Sequence, residues 1–410
     1  MHEQSHYDLA HYDLAIVGGG MVGASLACLL GALAPHTRIA VIEASEQGPA
    51  ISEESFDARV VALSNKAVAL FEQAGVWQSI QTERGKAYSG MYVWDGEGTA
   101  KVEFNAGDIR ENHLGHIVEN ALIVQALWQK LESLPQVDLF RGAQLEELET
   151  LERTQRLTLT ANGQKHTLTS ELVIAADGAR SQIRERMQFR VKEWDYGQSA
   201  IVTTVQTENP HRDIAWQRFT AHGPIAFLPL GKLPGKADHH YCSLVWSADN
   251  AIAAELMQYD DETFRSKLAQ AFEFQLGEVL KVDTRYKIPL QQRHAESYVQ
   301  PGVALVGDAA HSIHPLAGQG VNLGLYDIQV LAEEVGRAQK KNIPLHDFSI
   351  LQRYERRRQS HNLLAMATME GFKHLFASQR PDLRWLRNTG MHFFNQQSWL
   401  KNQIARLASG

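Results

Sequence analysis

The feature that most constrains the fold is a G-x-G-x-x-G pattern close to the start of the 410-residue chain. Its glycines are Gly18, Gly20 and Gly23. The apolar run 12–17 before it has the character of a buried parallel strand, and the run 21–33 after it has the small and apolar residues of a tightly packed helix. A strand, a glycine turn and a helix in this order predict the first half of a βαβ unit with a right-handed crossover.

An acidic residue completes this unit. The run 38–42 predicts a second strand that ends at Glu43, twenty positions after Gly23. In a dinucleotide-binding unit one glycine makes the tight turn, one lets the backbone approach a pyrophosphate, and one lets helix and strand pack closely. The helix N-terminus attracts the phosphates, and Glu43 can accept hydrogen bonds from adenosine ribose hydroxyls while repelling a 2′-phosphate. The pattern predicts an adenine dinucleotide other than NADP; the alternative is a glycine-rich packing seam without a ligand.

Bulk properties exclude several classes of protein. A chain of 410 residues exceeds the size of a single core, so we expect two domains or one domain with a large insertion. The formal net charge of −7 argues against a nucleic-acid partner. Cys28 and Cys242 can form neither a disulfide framework nor a CxxC site, which fits a reducing compartment. The nearly uncharged stretch 14–34 has acidic flanks and a glycine cluster, so we expect it inside the fold and not across a membrane.

The N-terminus repeats the sequence HYDLA and contains His2, His6 and His11. We expect the first copy of the repeat to be a frayed extension. Because no carboxylate or cysteine is held in position as a metal-binding partner of these histidines, we expect a solvated terminus and not a metal site.

The rest of the chain alternates helical and strand-like patterns. Apolar spacing predicts helices over 64–74 and 120–134, and the dipeptide Asn162-Gly163 predicts a hairpin. Residues 196–290 change to strand-rich segments with one helix near 261–272. This change of pattern predicts a separate sheet inserted into the nucleotide-binding fold.

A second glycine motif lies far downstream. The run 303–306 predicts a buried strand that ends at Gly307, where the backbone can turn beneath a ligand, and Asp308 offers a carboxylate to hydroxyls such as those of a ribityl chain. The residues that follow lead into a mostly helical region; they include Pro315, Gly318, Gly320, Val321 and Asn322. If the pyrimidine edge of a flavin lies above the first N–H groups of that helix, the helix dipole stabilises negative charge on the reduced ring.

This spacing resembles the GD motif of flavoprotein monooxygenases of the para-hydroxybenzoate hydroxylase type. Asp177-Gly178-Ala179, after the strand-like run 172–176 and together with Ser181 and Arg184, resembles their DG motif, which serves both flavin and pyridine nucleotide. Shorter stretches look like the aromatic-ring hydroxylases of ubiquinone biosynthesis; these are 57–59, 94–95, 113–120, 227–230 and 314–324. The stretches HLGHIVEN and VWD among them look most similar to the 2-polyprenylphenol hydroxylases that oxidise ring carbon 5.

The resemblance implies an α/β fold. It combines a Rossmann-like FAD-binding domain of the GR2 and para-hydroxybenzoate hydroxylase type with an inserted, mostly antiparallel β-sheet substrate domain and a helical C-terminus. The implied divisions are an N-terminal extension at 1–10, a FAD-binding domain at 11–85, 112–190 and 285–345, a substrate domain at 86–111 and 191–284, and a helical region at 346–410. The stretch 383–407 mixes aromatic and basic residues, which suits a membrane-surface or partner-binding helix as well as packing against the main body.

The same resemblance implies roles for individual residues. The FAD-binding positions are Gly18, Gly20, Gly23, Glu43, Arg59, Gln125, Asp177, Gly307, Asp308, Gly320, Val321 and Asn322. The flavin environment in which catalysis takes place includes Pro315, Gly318 and Gly320, and no side chain is assigned as an acid or base.

Several of these residues have a plainer alternative. Arg59 could be a solvated surface residue, and Gln125 could be a polar residue of an amphipathic helix. A histidine after the GD motif, such as His311 or His314, can transfer protons or simply satisfy backbone groups. We expect Asp177 to act through its turn geometry and through pairing with Arg184.

The implied function is an FAD-dependent monooxygenase of ubiquinone biosynthesis that hydroxylates the aromatic ring of a polyprenylated phenol with NAD(P)H and O2, through a C4a-hydroperoxyflavin. Because there is no second G-x-G-x-x-G, NAD(P)H would dock transiently. The alternatives are a flavin-dependent reductase or dehydrogenase of the same fold, and a flavin-stabilised scaffold of a ubiquinone-biosynthesis complex. We expect a cytoplasmic protein, either free or peripheral at the inner membrane face, with partners in such a complex and its oligomeric state left open.

Overall fold

The computed structural model describes residues 10–96, 98, 101–161, 163–233, 240–312 and 320–377. Its helices are α1 (Met21–Leu33), α2 (Asn65–Gln73), α3 (Trp77–Glu83), α4 (Asn120–Glu132), α5 (Gln182–Arg186), α6 (Asn250–Gln258), α7 (Asp261–Ala271), α8 (Gly320–Lys340) and α9 (Phe348–Ala377). The first ten strands are β1 (Ala10–Val17), β2 (Ile39–Glu43), β3 (Val60–Ser64), β4 (Lys86–Tyr88), β5 (Gly90–Asp95), β6 (Lys101–Asn105), β7 (Gly115–Glu119), β8 (Val137–Arg141), β9 (Ala143–Thr150) and β10 (Gln155–Ala161). The next ten are β11 (Gln164–Ala175), β12 (Val191–Thr207), β13 (Ile214–Thr220), β14 (Gly223–Pro229), β15 (Tyr241–Asp249), β16 (Val279–Val282), β17 (Tyr286–Ala295), β18 (Val299–Gln300), β19 (Val303–Leu305) and β20 (His311–Ser312).

The first sheet is built around the predicted βαβ unit. Its strands follow the order β18-β19-β11-β1-β2-β8, with β10 and β9 attached beside β11. The neighbours β19, β11, β1, β2 and β8 are parallel, and the last four residues of β1 are buried, as a strand covered on both faces requires. The carboxyl ends of β1, β11 and β19 therefore lie side by side at one edge of this sheet.

Three helices contact strands of this sheet: α1 contacts β1 and β2, α4 contacts β8, and α9 contacts β18. Helix α1 packs against both α4 and α8, and its small side chains allow nearly complete burial of its first three turns. Helix α8 in turn packs against α9. Helix α1, which follows the first glycine motif, thus packs directly against α8, which follows the second.

The second sheet is mostly antiparallel, as the change of sequence pattern predicts. Its order is β20-β17-β12-β15-β14-β13-β5-β6, with β16 attached to β12 and a parallel pairing between β13 and β5. Alternate residues face opposite sides. Ile201, Phe227 and Leu244 belong to the apolar core formed with α6 and α7, whereas Ala200 and Ala226 line a cavity on the other face.

A third sheet of three strands, in the order β3-β7-β4, contributes to the opposite wall of that cavity. Its residues Ala62 and Ile117 join Phe56, Leu230 and Tyr241 in a small apolar cluster. This cluster connects the third sheet to the second.

Most predicted elements are present, with two corrections. The hairpin forms with Ala161 opposite Gln164 across its turn, although Asn162 itself lies outside the described residues. The described residues of the inserted block form two helices and not one, because α6 precedes α7. Its sheet also extends beyond the strand-rich block, to Val191 at the start of β12 and to Ala295 at the end of β17.

In the part of the chain that the structure describes, no helix has both the length and the apolar composition needed to cross a membrane. The stretch 14–34 forms β1, the glycine turn and α1 inside the first core, as expected. The aromatic and basic stretch 383–407 lies outside the described residues.

The close packing at Gly23 generates a stability prediction. A Cβ atom at Gly23 would lie 1.9 Å from the carbonyl oxygen of Gly18, a backbone atom that cannot yield without opening the turn. We expect Gly23→Ala to lower the free energy of unfolding by about 1–3 kcal/mol, as overpacked sites do. Urea unfolding of the flavin-free protein measures this change. Gly20→Ala is the matched control, because a Cβ at Gly20 meets nothing within 4 Å; equal stability of the two variants would contradict the assignment.

Candidate functional site

Of the three motif glycines in the first turn, the fold itself needs Gly18 and Gly23 but does not need Gly20. Gly18 has a φ of +105°, and a Cβ there would lie 2.3 Å from the carbonyl oxygen of Ala176. A Cβ at Gly23 would clash with the carbonyl oxygen of Gly18. Gly20 has an ordinary φ of −68°, forms the N-cap of α1 and faces open space. This open space beside the free N–H groups of a helix N-terminus fits a pyrophosphate.

Glu43 lies against this turn at the end of β2. Its Oε2 accepts a hydrogen bond of 2.7 Å from the backbone N–H of Gly19, and its Oε1 accepts one of 2.8 Å from Ser45. These bonds fix the carboxylate while each oxygen keeps a further lone pair. The geometry therefore suits the predicted recognition of ribose hydroxyls.

Helix α4 brings Gln125 towards the same turn. The indole Nε1 of Trp128 donates a hydrogen bond of 2.7 Å to the carbonyl oxygen of Gly19, which places this face of α4 on the glycine turn. Gln125 lies three residues earlier, on the same side of the helix, and is half-buried.

The second glycine motif is packed directly onto the first. Gly307 adopts a φ of +57°, and a Cβ there would lie 3.2 Å from Cγ2 of Val22 in α1. A Cβ at Gly324 in α8 would lie 3.1 Å from the Cα of Gly307. The turn after β19 is thus wedged between α1 and α8, next to the turn after β1.

Asp308 follows this wedged glycine and is exposed to solvent. The protein atoms packed around its carboxylate still displace enough water to raise its pKa, and Asp327 acts in the same direction while His311 opposes it. A carboxylate at this place can accept hydrogen bonds from the hydroxyls of a ligand that spans the two turns.

Asp177 holds the third turn at this sheet edge. Its Oδ2 accepts hydrogen bonds from the backbone N–H groups of Gln182 at 2.7 Å and Ile183 at 3.2 Å, which caps α5. Its Oδ1 is buried and has no hydrogen-bond partner among the described residues. Burial raises the pKa of this carboxyl group despite the N–H donors. A ligand hydroxyl or amide could donate a hydrogen bond to this oxygen.

The expected pairing of Asp177 with Arg184 is wrong. In the described structure Arg184 forms no ion pair with it and instead donates to the carbonyl oxygens of Ala179 at 2.7 Å and Ala309 at 3.0 Å. The Asp177 carboxylate instead binds the backbone N–H groups at the start of α5. Arg184 consequently ties the DG turn to the GD turn.

The cavity between the second and third sheets has a volume of about 230 Å³. Its lining consists of Ala58, Arg59, Val60, Ala62, Tyr88, Met91, Ile117, Ala200, Val202, Ala215, Trp216, Gln217, Pro224, Ala226, Leu228, Ser243, Val245, Ser247, Ile288 and Leu290. Arg59 and Tyr88 are the titratable residues of this lining. Burial raises the pKa of the Tyr88 phenol to about 12, so it stays protonated at neutral pH.

Glu119 holds the segment that carries Arg59 in place. Glu119 Oε1 accepts a hydrogen bond of 2.7 Å from the N–H of Asp57, and Arg84 forms a buried ion pair of 3.0 Å with Glu119 Oε2. The Arg59 side chain is exposed. The backbone N–H of Arg59 donates a hydrogen bond to Asp57 Oδ1. The structure therefore places Arg59 at the lining of the cavity and on an ordered segment.

Asn322 connects this cavity wall to α8. Its Oδ1 accepts a hydrogen bond of 3.1 Å from the N–H of Ser64, and its Nδ2 donates one of 2.9 Å to the carbonyl oxygen of Ala62. Its side chain is thus occupied by β3, which leaves its backbone for a ligand. Gly320 and Val321 form the first turn of α8 beside it. Pro315, Gly318 and His314 lie outside the described residues.

Sequence reasoning missed the partner of His311. His311 is buried, and its Nε2 lies 2.5 Å from Oδ2 of Asp327, a fully buried carboxylate of α8. Arg358 and Asn362 of α9 bind the same carboxylate. The available signal was an aspartate on the apolar face of a predicted helix, where a charge requires partners.

The histidine-rich N-terminus has carboxylate neighbours that the sequence did not reveal. Ligand atoms of His11, Asp13 and Glu171 lie within 4.8 Å of one another, because β1 and β11 are paired. These groups already bind Thr169, the N–H of Arg38 and His346, respectively. His11 therefore has positioned carboxylate neighbours, contrary to the expectation for these histidines.

Comparisons with known proteins agree with this architecture. A family model described as FAD binding domain matches residues 11–367. The chain is 38% identical over 395 residues to 3-demethoxyubiquinol 3-hydroxylase of Escherichia coli K12, covering 96% of this chain and 97% of that protein. It is 33% identical over 439 residues to the human mitochondrial ubiquinone biosynthesis monooxygenase COQ6, covering 96% of this chain and 92% of that protein.

Solved structures give the same fold. The chain resembles p-nitrophenol 4-monooxygenase PnpA from Pseudomonas putida DLL-E4 with a TM-score of 0.78 at 19% identity, covering 97% of each chain. It resembles P. aeruginosa PqsL in complex with 2-aminobenzoylacetate with a TM-score of 0.75 at 23% identity, covering 93% of this chain and 99% of that chain. The predicted fold class is confirmed. This chain belongs to the FAD-binding domain family and is an FAD-dependent aromatic-ring hydroxylase of the kind found in ubiquinone biosynthesis.

Proposed function

We propose that this chain hydroxylates the ring of a polyprenylated phenol or quinol on the path to ubiquinone, with NAD(P)H and O2. The observation that carries the proposal is the apolar cavity, whose wall at Ala62 is hydrogen-bonded to the first turn of α8 through Asn322. A ring in this cavity would lie next to a flavin placed at the N-terminus of α8. The names of the Escherichia coli and human relatives supply the substrate class.

FAD would be held by groups that converge on the edge of the first sheet. The backbone at Gly20 and the N-terminus of α1 would bind the pyrophosphate, Glu43 the adenosine ribose, and Asp308 the ribityl hydroxyls. The unpaired Oδ1 of Asp177 offers a further acceptor at the same edge. When bound, FAD supplies the redox chemistry: it accepts electrons from NAD(P)H and activates O2.

The residues of the chain would contribute positioning and the exclusion of water. Among the described residues, the cavity lining contains no carboxylate, histidine or lysine. The protonated Tyr88 hydroxyl can donate a hydrogen bond to an oxygen on the ring. Apolar walls keep water away from the reacting centre and hold the ring in a near-attack arrangement.

The cavity opens to the surface along β17. Ile288 lines the cavity and is nevertheless 42% exposed, and Tyr286, two residues earlier on the same face, is 51% exposed. An apolar side chain that is both cavity wall and surface marks an opening of the cavity. We assign this opening to the prenyl chain, whose apolar surface would cover Ile288 and Tyr286.

A substitution at Gly20 tests the placement of the pyrophosphate. Gly20→Val would put methyl groups into space that the protein leaves open, so the chain should fold while losing backbone contacts to the cofactor. Loss of one hydrogen bond to a charged group, worth about 1.5–3 kcal/mol, weakens FAD binding about 10- to 100-fold. Flavin fluorescence titration of the apoprotein measures this. Gly371→Val, also in open space but on α9, is the matched control; full FAD affinity of Gly20→Val would refute the placement.

Hydroxylation is tested with two substrates. The FAD-loaded protein is given NAD(P)H and ¹⁸O₂ with either a polyprenylphenol or a demethoxyubiquinol, and the products are analysed by mass spectrometry. We expect a product carrying one atom of labelled oxygen from at least one of them. The substrate that is converted decides between ring carbon 5 and the position named for the Escherichia coli relative. NAD(P)H oxidation without a labelled product from either ring favours a reductase, and bound FAD without NAD(P)H oxidation favours a scaffold.

A further inference from the structure

A carboxylate in the middle of α8 is the most heavily bonded side chain near the proposed cofactor site. Asp327 is fully buried, with 0% of its surface exposed. Its Oδ2 accepts hydrogen bonds from the N–H of Gly307 at 3.1 Å and from Nε2 of His311 at 2.5 Å. Its Oδ1 accepts from Nε of Arg358 at 2.8 Å and from Nδ2 of Asn362 at 3.0 Å. Four donors on one buried carboxylate is the arrangement that a buried charge requires.

The two donors on Oδ2 stand at the two ends of one short segment. Gly307 begins the turn after β19, and His311 begins β20, which pairs with β17 of the second sheet. Asp308 lies between them. A single carboxylate thus holds both ends of the segment 307–311 and with them the backbone that presents Asp308.

The two donors on Oδ1 come from α9 and anchor the carboxylate itself. Arg358 also donates to Oδ1 of Asn362 at 2.6 Å, so these two side chains hold each other in place. Asn362 Nδ2 reaches the hydroxyl of Tyr298 at 3.3 Å, which in turn contacts His294 at 3.0 Å. Burial alone would raise the pKa of Asp327, but His311 and Arg358 outweigh it and lower that pKa, so the group remains an anionic acceptor.

We propose that Asp327 is a positioning residue for FAD, which clamps the segment 307–311 against α8 so that the Asp308 carboxylate stands where the ribityl hydroxyls arrive. Asp327 touches no ligand itself and acts through Asp308. The inference rests on the proposed binding of FAD at Asp308. It adds that the affinity for FAD depends on a carboxylate buried between α8 and α9.

Glu334 provides a matched control on the same helix. It lies seven residues after Asp327, is also buried, and binds Arg353 at 2.8 Å and Arg357 at 3.0 Å, both on α9. It makes no contact with the segment 307–311 among the described interactions. A change at Glu334 therefore weakens the packing of α8 on α9 in the same manner but leaves the clamp intact.

The experiment is a double-mutant cycle on FAD affinity, measured by flavin fluorescence titration of apoproteins whose folding is checked by circular dichroism and thermal unfolding. Asp327→Asn turns an amide N–H₂ towards one pair of donors, so we expect FAD binding to weaken about 10- to 100-fold. Asp308→Ala should weaken it to a similar extent. In the Asp308→Ala background, Asp327→Asn should cost less than about 2-fold more, because residues that act as one unit are not additive. Glu334→Gln should lower the unfolding temperature with FAD affinity unchanged.

Each contrary outcome has a separate meaning. If Asp327→Asn weakens FAD binding no more than Glu334→Gln, or if its effect multiplies in full with that of Asp308→Ala, Asp327 does not act through Asp308 and the inference is refuted. If Asp308→Ala alone leaves the affinity unchanged, the proposed placement of FAD fails first. Should Asp327→Asn not fold, Arg358→Lys replaces it: it keeps the positive charge, loses the Nε bond to Asp327, and should weaken FAD binding in the same direction.

Discussion

Three adjacent parallel strands that end in glycine turns are the constraint on which the site depends. β1, β11 and β19 are neighbours, and the turns that follow them contain Gly18, Gly178 and Gly307, with φ values of +105°, +78° and +57°. Residues other than glycine are strained at such φ values. Because parallel strands bring their carboxyl ends to the same edge, three segments far apart in the chain form one edge, where we propose that FAD binds.

Buried polar groups then fix how this edge faces the rest of the molecule. Arg184 joins the second turn to the third, Asn322 joins α8 to β3, and Asp327 joins the third turn to α9. Burying a charge is costly, and apolar residues of similar size often stabilise a fold as well or better. The benefit of these groups is therefore one of geometry: directional bonds hold the cofactor edge and the cavity wall in a fixed relation that apolar packing alone would not specify.

The fold was predictable where the signal is local. The helix over 21–33 and the end of a strand at Glu43 agree with the structure because small apolar residues, glycines and an acidic residue follow one another within a single βαβ unit. The helix α6 was missed because its residues are few and lie inside a strand-rich block. Arg184 and Asp327 could not be assigned, because their partners, Ala309 and Arg358, are close in space through strand and helix packing and not through sequence spacing. The cavity was beyond sequence reasoning for the same reason, since two sheets and the loop before β3 form its walls.

The central claim is that FAD lies along the edge formed by the three turns, with its ring between the first turn of α8 and the apolar cavity. A crystal structure of the protein with FAD tests this most directly. The account predicts the pyrophosphate beside Gly20, a ribityl hydroxyl within hydrogen-bond distance of Asp308, and the ring facing the cavity near Arg59. FAD bound away from the carboxyl ends of β1 and β19, or with its ring turned from the cavity, would contradict it.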